Sequence, residues 1–334
     1  MGLRKILDEW TRKKLMDTVC YAVENSSFYK EKFRDFFESG LQIKTIEEFE
    51  KLPFTNQEEL REHGMDFLCV KPSEISRIVT LDTGGTTGKP KRIYFTEEDQ
   101  QLTVDYFRIG MQLMANAHDK VLILMPAKVP GSIGKLLAKG LGGFGSESIE
   151  YGLPDMGPHK NYEANMQEAK HIIDVIREEG VTGVVALPTH MELIAEAFEG
   201  YGSSVQWVLL SAEYVGDEQV ELIEKTFNCK VYEHYGMTEM GLGCAVACGF
   251  GNGYHVREMD LYIEIIDPET GEGVPDGEVG EMVFTTLTRK GMPFIRYRTG
   301  DYSRWILDEC QCGSVLKRLD KVGPRNMVKG YLRG

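Results

Sequence analysis

A glycine-rich stretch, "TLDTGGTTGKPKRIYF" at residues 80–95, combines three glycines with threonines and two lysines. Glycines leave the backbone amides open to a ligand, threonines add hydroxyl donors, and Lys89 and Lys91 add positive charge, so the stretch favours a polyphosphate. A Walker P-loop is excluded, because Pro90 follows Lys89 where that motif needs Ser or Thr. Both flanks predict strands, so the alternative is a glycine-rich hairpin without a ligand.

Two shorter stretches carry groups that would complement such a loop. The first, "CKVYEHYGMTEMG" at residues 229–241, contains a tyrosine and a Thr-Glu pair that follow a predicted strand. The tyrosine could stack on a base, and the Thr-Glu pair could contact phosphate and Mg²⁺. Residues 295–301, "IRYRTGD", end in an aspartate that could accept hydrogen bonds from a ribose diol. Each is a weak signal alone, since such sequences are also common in turns. The order and spacing of all three stretches therefore carry the interpretation.

That order resembles the adenylate-forming superfamily of acyl-CoA synthetases and adenylation domains, through "TGGTTGKPK", "YGMTE" and "YRTGD". The similarity is closer to the phenylacetate-CoA ligase branch, through "VENSSFYKEKF", "LPFTNQEELRE", "IIDPETGE" and "DECQCG", and it covers roughly residues 10–325. The resemblance implies an α/β fold, the large N-terminal domain of this superfamily, with helix-covered parallel sheets and a smaller β-rich subdomain.

The resemblance also implies roles for matching residues. The glycine-rich loop would wrap the β- and γ-phosphates of ATP, and Tyr235 would stack on adenine. Thr238 would touch the α-phosphate and Glu239 would hold Mg²⁺, which makes these two, with Lys89, the expected catalytic residues. The full set of nucleotide-binding residues that it implies is Thr83, Gly84, Gly85, Thr86, Thr87, Gly88, Lys89, Ser211, Ala212, Glu213, His234, Tyr235, Gly236, Thr238 and Asp301, the last on the ribose.

The implied reaction is attack by a carboxylate on the α-phosphorus of ATP, which gives an acyl-adenylate and pyrophosphate. Charge neutralisation and in-line positioning supply most of the rate of such a reaction. A thiol would then take the acyl group, with coenzyme A as the candidate second substrate. Two alternatives are an adenylyl transferase to a hydroxyl acceptor, as in the related deazaflavin-cofactor enzymes, and a non-catalytic homologue that binds a nucleotide or an aromatic acid.

The acyl pocket is the least readable part of the sequence. In the relatives it is lined after the "LMP" strand and around "YGMTE", which implies Ala127, Lys128, Ile133 and Met240. An aryl acid is favoured by the resemblance. Lys128 would suit an anionic or polar substrate if it faced the pocket, and the alternative is that it points to solvent.

A second metal site is indicated by three cysteines and a histidine. Cys248 and His255 lie in "ACGFGNGYHV", and Cys310 and Cys312 lie in "DECQCG". Three thiolates and an imidazole suit tetrahedral zinc with no position open for catalysis. The relatives keep the cysteine-to-histidine spacing, which favours a structural zinc, with Cys244 as a substitute ligand. The alternative is a set of reduced cysteines without a metal.

Hydrophobic periodicity predicts the helices and strands that carry the candidate residues. From about residue 76, buried strands such as "KVLILMPA" (120–127) and "VTGVVALPT" (181–189) alternate with amphipathic helices such as 165–180 and 217–227, which predicts helix-covered parallel sheets. After about 255, period-two patterns around "DPETGEG" predict a β-rich part. The expected domains are a helical segment at 1–75, the α/β nucleotide- and acyl-binding core at 76–254, a β-rich subdomain at 255–325 and a hinge remnant at 326–334.

Composition bounds the class of protein. The 334 residues carry a net charge of −14 with 42% hydrophobic content, so an extended nucleic-acid surface is not expected. No signal peptide or membrane span is recognised, and seven cysteines without a signal indicate reduced thiols. We therefore expect a cytoplasmic protein that acts on a small-molecule carboxylate, without nucleic-acid or membrane partners, and a homodimer is a candidate assembly.

The sequence differs from the resembled family at its end. Relatives continue through a hinge, marked by an arginine and acidic residues, into a small domain with a lysine that contacts the α-phosphate. Here the stretch reads "DKVGPRNMVKGYLRG", with Pro324 in place of the hinge arginine and Arg325 and Asn326 in place of the acidic pair. Lys321 and Lys329 lack the family context of that lysine. Two alternatives follow: the sequence is a trimmed chain, or the protein lacks the lysine-bearing domain. If the chain is complete as given, we expect it to form adenylate slowly and to make little thioester.

Overall fold

The computed structural model describes residues 2–38, 43–81, 89–200 and 202–324. The predicted phosphate-loop residues Thr83 to Gly88 and the predicted hinge remnant at 326–334 lie outside these residues. Lys89 and everything else assigned to the candidate sites lie inside them.

Helices and strands alternate along most of the described chain. The helices are α1 (Leu3–Asn25), α2 (Ser27–Lys32), α3 (Arg34–Glu38), α4 (Ile46–Phe49), α5 (Gln57–His63), α6 (Glu97–Met111), α7 (Ile133–Gly142), α8 (Tyr162–Glu179), α9 (Pro188–Ala197) and α10 (Asp217–Phe227). The strands are β1 (Ile75–Leu81), β2 (Lys91–Thr96), β3 (Lys120–Ile123), β4 (Glu147–Glu150), β5 (Gly183–Ala186), β6 (Trp207–Leu210), β7 (Lys230–Tyr235), β8 (Ala245–Val246), β9 (Tyr254–Val256), β10 (Leu261–Ile266), β11 (Gly280–Thr286), β12 (Tyr297–Ser303), β13 (Trp305–Ile306), β14 (Arg318–Leu319) and β15 (Gly323–Pro324).

Several predicted elements are confirmed. The strands on either side of the glycine-rich stretch, β1 and β2, form an antiparallel pair in which Leu81 lies opposite Lys91. Helix α8 ends at Gly180, whose φ of +64° is the left-handed conformation that a side chain disfavours. Helix α10 begins and ends at the predicted residues, 217 and 227.

Other boundaries differ from the prediction. The strand expected at 120–127 is β3, which ends at Ile123, and the helix expected at 165–180 begins earlier, at Tyr162. The buried strand expected at 181–189 is shorter, since β5 ends at Ala186 and α9 already begins at Pro188. Proline at the first turn of a helix loses no hydrogen bond and has a helical φ, so the end of the predicted strand became the start of a helix.

The chain forms two compact units, of which the second comprises residues 102–237 and 245–254. Its strands lie in the order β8-β7-β6-β5-β3-β4. All neighbouring pairs in this order are parallel except β7 with β8. Apolar side chains of α8, α9 and α10 pack with those of the central strands in one continuous core that includes Ile172, Val184, Ile194 and Phe227. The predicted helix-covered parallel sheet is therefore confirmed.

The first unit comprises residues 1–101, 238–244 and 255–334. It contains an antiparallel sheet in the order β10-β11-β12-β15 and the β1–β2 pair. The N-terminal segment joins this sheet, because the Thr55 amide donates to Arg296 O at 2.9 Å and the Arg298 amide donates to Thr55 O at 2.9 Å. Fully buried rings of Tyr29, Phe67 and other residues pack around this junction. Among the described residues, no helix is both long enough and apolar enough to span a membrane.

Candidate functional site

Glu239, the carboxylate expected to hold magnesium, lies in a short 3₁₀ helix of the first unit, Thr238–Met240. Its side chain is buried, with 1% of the residue exposed. The Lys91 ammonium forms an ion pair with Oε1 of this carboxylate. The Tyr297 hydroxyl donates to the same oxygen at 3.2 Å. Burial raises the pKa of Tyr297 well above its usual range, and Glu239 adds to the effect, so the phenol keeps the proton that it donates.

Arg289 fixes the backbone around this carboxylate. Its guanidinium donates to Glu239 O at 2.6 Å and to Tyr94 O, on strand β2, at 3.2 Å. It also lies 4.3 Å from the centre of the Phe95 ring. Burial lowers the pKa of Arg289 to about 10, which leaves the group charged at neutral pH. The segment that carries Glu239 is thereby tied to the strand that carries Lys91.

The donors around Glu239 do not fit a magnesium ion as they lie. Magnesium requires six oxygen ligands in near-ideal octahedral geometry, and it usually keeps several waters. Here one carboxylate oxygen already accepts from an ammonium and a phenol, and the residue is almost fully removed from solvent. The positive charge that magnesium would supply is supplied by Lys91 instead.

The other predicted nucleotide residues of the first unit that the structure describes lie in β12, in the 3₁₀ helix that carries Glu239, and just before β2. Asp301 is half-buried in β12, opposite Pro324 of β15, and its amide donates to Thr299 Oγ1 at 3.0 Å. Thr238 is half-buried, and Lys89 is exposed two residues before the start of β2. The roles predicted for Asp301, Thr238 and Lys89 in nucleotide binding therefore remain predictions.

The second unit places the remaining predicted nucleotide residues at the carboxyl ends of neighbouring parallel strands. Ser211 follows β6 and His234 lies near the end of β7, and Ser211 Oγ lies 2.8 Å from His234 Nδ1 in a hydrogen bond. Ligands of open α/β sheets bind at such strand ends. Ala212 has a φ of +72°, an uncommon conformation for a residue other than glycine, which turns the chain sharply after β6.

Three more members of the predicted set surround this pair in the sequence. The exposed Glu213 accepts from the Thr189 hydroxyl at 2.8 Å, so its carboxylate is held against the start of α9. Tyr235 is half-buried at the end of β7, opposite Ala245 of β8, and Gly236 follows it. The structure thus brings Ser211 and His234 together, as predicted for residues of one site.

A cavity in the second unit adjoins the Ser211–His234 pair. It encloses about 390 Å³ of space, including the part open to solvent. The residues that line it are mostly apolar or aromatic: Tyr106, Phe107, Gly110, Met111, Met125, Ile133, Leu137, Val185, Leu209, Ser211, His234 and Val246. Of the predicted acyl-pocket residues, Ile133 is in this lining. Lys128 is exposed, in agreement with the alternative that it points to solvent.

The other two predicted acyl residues, Ala127 and Met240, are buried and are not in the cavity lining. Sequence reasoning missed the aromatic contribution of α6, from Tyr106 and Phe107. The available signal was Gly110, an isolated glycine within a helical stretch. A glycine there is less favourable than alanine and leaves space beside the helix. That signal does not distinguish a ligand cavity from close helix packing.

Three of the predicted zinc ligands converge in the first unit. The ligand atoms of His255, Cys310 and Cys312 all lie within 4.8 Å of one another, and Cys312 Sγ lies 3.3 Å from His255 Nε2. His255 Nδ1 donates to Leu316 O at 3.2 Å, which leaves Nε2 with its lone pair towards the thiols. The donor types and spacing fit zinc, whose bonds to sulfur and nitrogen are about 2.0–2.3 Å long.

Cys248, the remaining residue of the predicted zinc set, is buried and belongs to the second unit. Cys244, the predicted substitute, is fully buried in the first unit and is not among the converging ligands. A Cys/His cluster of the kind predicted from the sequence is therefore present.

The chain is similar in sequence to proteins of known activity. The family model described as "AMP-binding enzyme" matches residues 158–287. The chain is 27% identical to the phenylacetate-coenzyme A ligase of Thermus thermophilus, over 99% of this chain and 73% of that protein. It is also 27% identical to the Escherichia coli K12 phenylacetate-coenzyme A ligase, over 96% of this chain and 72% of that protein. The resemblance to this branch is confirmed at the level of the sequence.

The fold matches solved adenylate-forming enzymes. A 2-hydroxyisobutyryl-CoA ligase, solved in complex with 2-HIB-AMP and CoA, superposes with a TM-score of 0.82 at 23% identity, over 97% of this chain and 69% of that chain. An open conformation of the same enzyme gives a TM-score of 0.79 at 22% identity, over 94% and 69%. The α/β fold that the resemblance implied is confirmed.

Proposed function

We propose that this chain activates a carboxylic acid with ATP, through an acyl-adenylate, with release of pyrophosphate. The observation that carries the proposal is the position of Ser211 and His234. These two residues belong both to the predicted nucleotide set and to the lining of the apolar cavity. An acid held in the cavity would have its carboxylate beside the residues expected to hold the nucleotide, which is the arrangement that adenylate formation requires.

The cavity favours an uncharged aryl or similarly apolar acid. Among the residues that the structure describes, the lining contains no Lys, Arg, Asp or Glu, and His234 is the one ionisable group there apart from the phenol of Tyr106. A second charge on the acid would be placed among apolar side chains without a counter-charge, which is costly. The similarity to phenylacetate-coenzyme A ligases supports the same substrate class.

The reaction needs positioning more than covalent help from the chain. A carboxylate oxygen of the acid attacks the α-phosphorus, a new O–P bond forms, and the bond to the pyrophosphate leaving group breaks. Tyr235 is proposed to stack on adenine and Asp301 to accept from the ribose hydroxyls, while Thr238 contacts the α-phosphate. Preorganised donors and charges of this kind are usually the largest contribution to such a rate enhancement.

Coenzyme A is the proposed acceptor in the second step. Its thiolate would attack the carbonyl carbon of the acyl-adenylate, with AMP as the leaving group. The relatives named as coenzyme A ligases, and the solved ligase complexed with CoA, support a thiol over a hydroxyl acceptor.

A pocket-filling variant tests the acid-binding half of this proposal. A Cβ atom added at Gly110 would meet only the Val246 side chain within 4 Å, and Gly110 lines the cavity, so we expect the side chain of Gly110→Leu to enter it. We expect acid-dependent ATP–pyrophosphate exchange with phenylacetate to lose at least tenfold in kcat/KM, with an unchanged Kd for ATP. Gly142→Leu, at the exposed end of α7 with nothing within 4 Å, is the matched control. Equal loss in both variants, or in neither, would contradict the assignment.

We further propose that Cys248 completes the Cys/His cluster as the fourth ligand of one structural zinc ion. Three ligands leave one position of a tetrahedral site to be filled, and Cys248 is a buried thiol that the sequence pattern pairs with His255. A closed site of this kind would hold β9, which carries His255, and the "DECQCG" segment together.

A further inference from the structure

Two buried groups of opposite charge, Lys91 and Glu239, form an ion pair that the proposed function leaves unexplained. Lys91 is 8% exposed and Glu239 is 1% exposed. A carboxylate and an ammonium at such burial are each costly unless they compensate one another. We infer that Lys91 is the resident counter-cation of Glu239, and that a divalent cation can bind this carboxylate only by displacing it.

The pair is built into the fold of the first unit. Arg289 bridges the backbone of Glu239 and that of Tyr94, three residues after Lys91 on strand β2. Tyr297 donates to the oxygen that also accepts from Lys91. Arg289, strand β2 and Tyr297 of strand β12 therefore hold the Glu239 carboxylate within reach of the Lys91 ammonium. The pair thus differs from an exposed ion pair, in which both side chains are free to move.

A divalent cation and the Lys91 ammonium cannot both use this carboxylate in the observed arrangement. Both would be positive charges within a few ångströms of each other in a poorly solvated place, where repulsion is strong. The magnesium ion also needs oxygen ligands on several sides, and the described neighbours of Glu239 Oε1 are hydrogen-bond donors. Binding of the ion and departure of Lys91 are thus one linked event.

The linkage predicts that a metal ion alone binds poorly at Glu239. Departure of Lys91 leaves a buried ammonium in need of a new anionic partner, and a free metal ion brings none. A polyphosphate brings phosphate oxygens both for the ion and for the ammonium. By reciprocity, nucleotide and ion then strengthen each other's binding by the same factor. This step rests on the proposed function, whereas exclusion of the free ion does not.

Manganese without nucleotide tests the exclusion directly, because electron paramagnetic resonance measures free Mn²⁺. We expect the wild-type chain and Glu239→Gln to bind Mn²⁺ alike, since Lys91 already occupies this carboxylate. Lys91→Met should gain one Mn²⁺ per chain with at least tenfold tighter binding, and Lys91→Met/Glu239→Gln should lose that gain. Arg92→Met removes the same charge at the next, exposed residue of β2 and should behave as the wild type.

Two outcomes would overturn the inference. One is a wild-type Mn²⁺ site that disappears in Glu239→Gln, a comparison that decides the matter even if Lys91→Met does not fold. The other is a folded Lys91→Met variant with wild-type Mn²⁺ affinity. Calorimetry with ATP separates this inference from the proposed function: absence of ATP binding alongside the expected Mn²⁺ results would refute the function and leave the role of Lys91 standing.

Discussion

The Cys/His cluster and the Glu239 carboxylate were both predicted from the sequence as metal sites, and the structure treats them differently. At the cluster, His255, Cys310 and Cys312 turn their ligand atoms towards one another, and Cys312 Sγ lies 3.3 Å from His255 Nε2. At Glu239, the ligand oxygen faces Lys91 and Tyr297. Both sites have suitable ligand types, and only the first has an arrangement that fits an ion as it lies.

The difference shows what decides whether a predicted ligand is available. Buried thiols and imidazoles need no charged partner, because they can remain neutral until a metal binds. A buried carboxylate at neutral pH needs a compensating positive charge, and the fold supplies one in Lys91. A metal that uses Glu239 must therefore compete with a group of the protein, whereas zinc at the cluster would displace protons from the thiols.

Loss of zinc should have the largest effect. We expect one zinc ion per chain in protein purified without added metal. Cys310→Ser should remove it and lower the free energy of unfolding by several kcal/mol, since binding to a structural site contributes directly to folding; apparent values reach about 10–16 kcal/mol in small zinc domains. Metal analysis and urea unfolding measure the two quantities.

The control for this prediction is Cys20→Ser, which alters an exposed cysteine of helix α1. It should keep both the zinc and the wild-type stability. A zinc-free wild-type protein with the melting temperature of the zinc-loaded protein would show that the cluster is only a group of reduced cysteines.

Removal of one partner of the Lys91–Glu239 pair should come next. Lys91→Met leaves a buried carboxylate without its counter-charge, which typically costs about 3–5 kcal/mol. The double variant Lys91→Met/Glu239→Gln removes both charges and should recover most of that loss in urea unfolding. Arg92→Met, in an exposed position, should change stability by no more than about 0.5 kcal/mol. Additive losses in the double variant would show that the two charges are not coupled.

Substitution of Asp301 should weaken nucleotide binding without changing the binding of metal ions at Glu239. Asp301→Ala should weaken ATP binding by about 1–3 kcal/mol, the cost of leaving ribose hydroxyls without a partner. Its Mn²⁺ behaviour without nucleotide should match that of the wild type, because Asp301 is not among the groups described at Glu239. Isothermal calorimetry provides the comparison, with the exposed Asp276→Ala as control. An unchanged ATP affinity would remove the ribose assignment.

The smallest expected effect is that of the phenol at Glu239. Tyr297→Phe removes one hydrogen bond to Oε1 and leaves the Lys91 ion pair in place. We expect a loss of about 1–2 kcal/mol in the free energy of unfolding, and no new Mn²⁺ site. Appearance of a Mn²⁺ site in this variant would assign the exclusion of metal to Tyr297 instead of Lys91.

The parts of the fold that were predictable are those set by local pattern. Hydrophobic periodicity predicted both ends of α10 and, together with Gly180, the C-terminal end of α8. The flanks of the glycine-rich stretch predicted the β1–β2 pair. The predicted end of the strand at residue 189 was wrong, because α9 already begins at Pro188. An apolar run can end a strand or begin a helix, and only the tertiary contacts distinguish the two.

The candidate sites were predictable where residue types are specific. Cysteines and a histidine at family spacing indicated the cluster, and Ser211 with His234 were placed in one set before their hydrogen bond was known. The partnership of Lys91 with Glu239 was not predictable, because the two residues are far apart in the sequence and a lysine has no preferred spacing from its carboxylate. Likewise, Phe107 carries no sign that its ring borders a cavity.

Transfer of ¹⁸O from the acid to AMP is the most direct test that the chain activates a carboxylic acid through an adenylate. The chain is incubated with ATP, magnesium, coenzyme A and a mixture of aryl acids labelled with ¹⁸O in the carboxyl group, and the AMP is analysed by mass spectrometry. Attack by the carboxylate on the α-phosphorus predicts AMP that carries one ¹⁸O atom. AMP that is formed without label, or that is formed equally without any acid, would contradict the account.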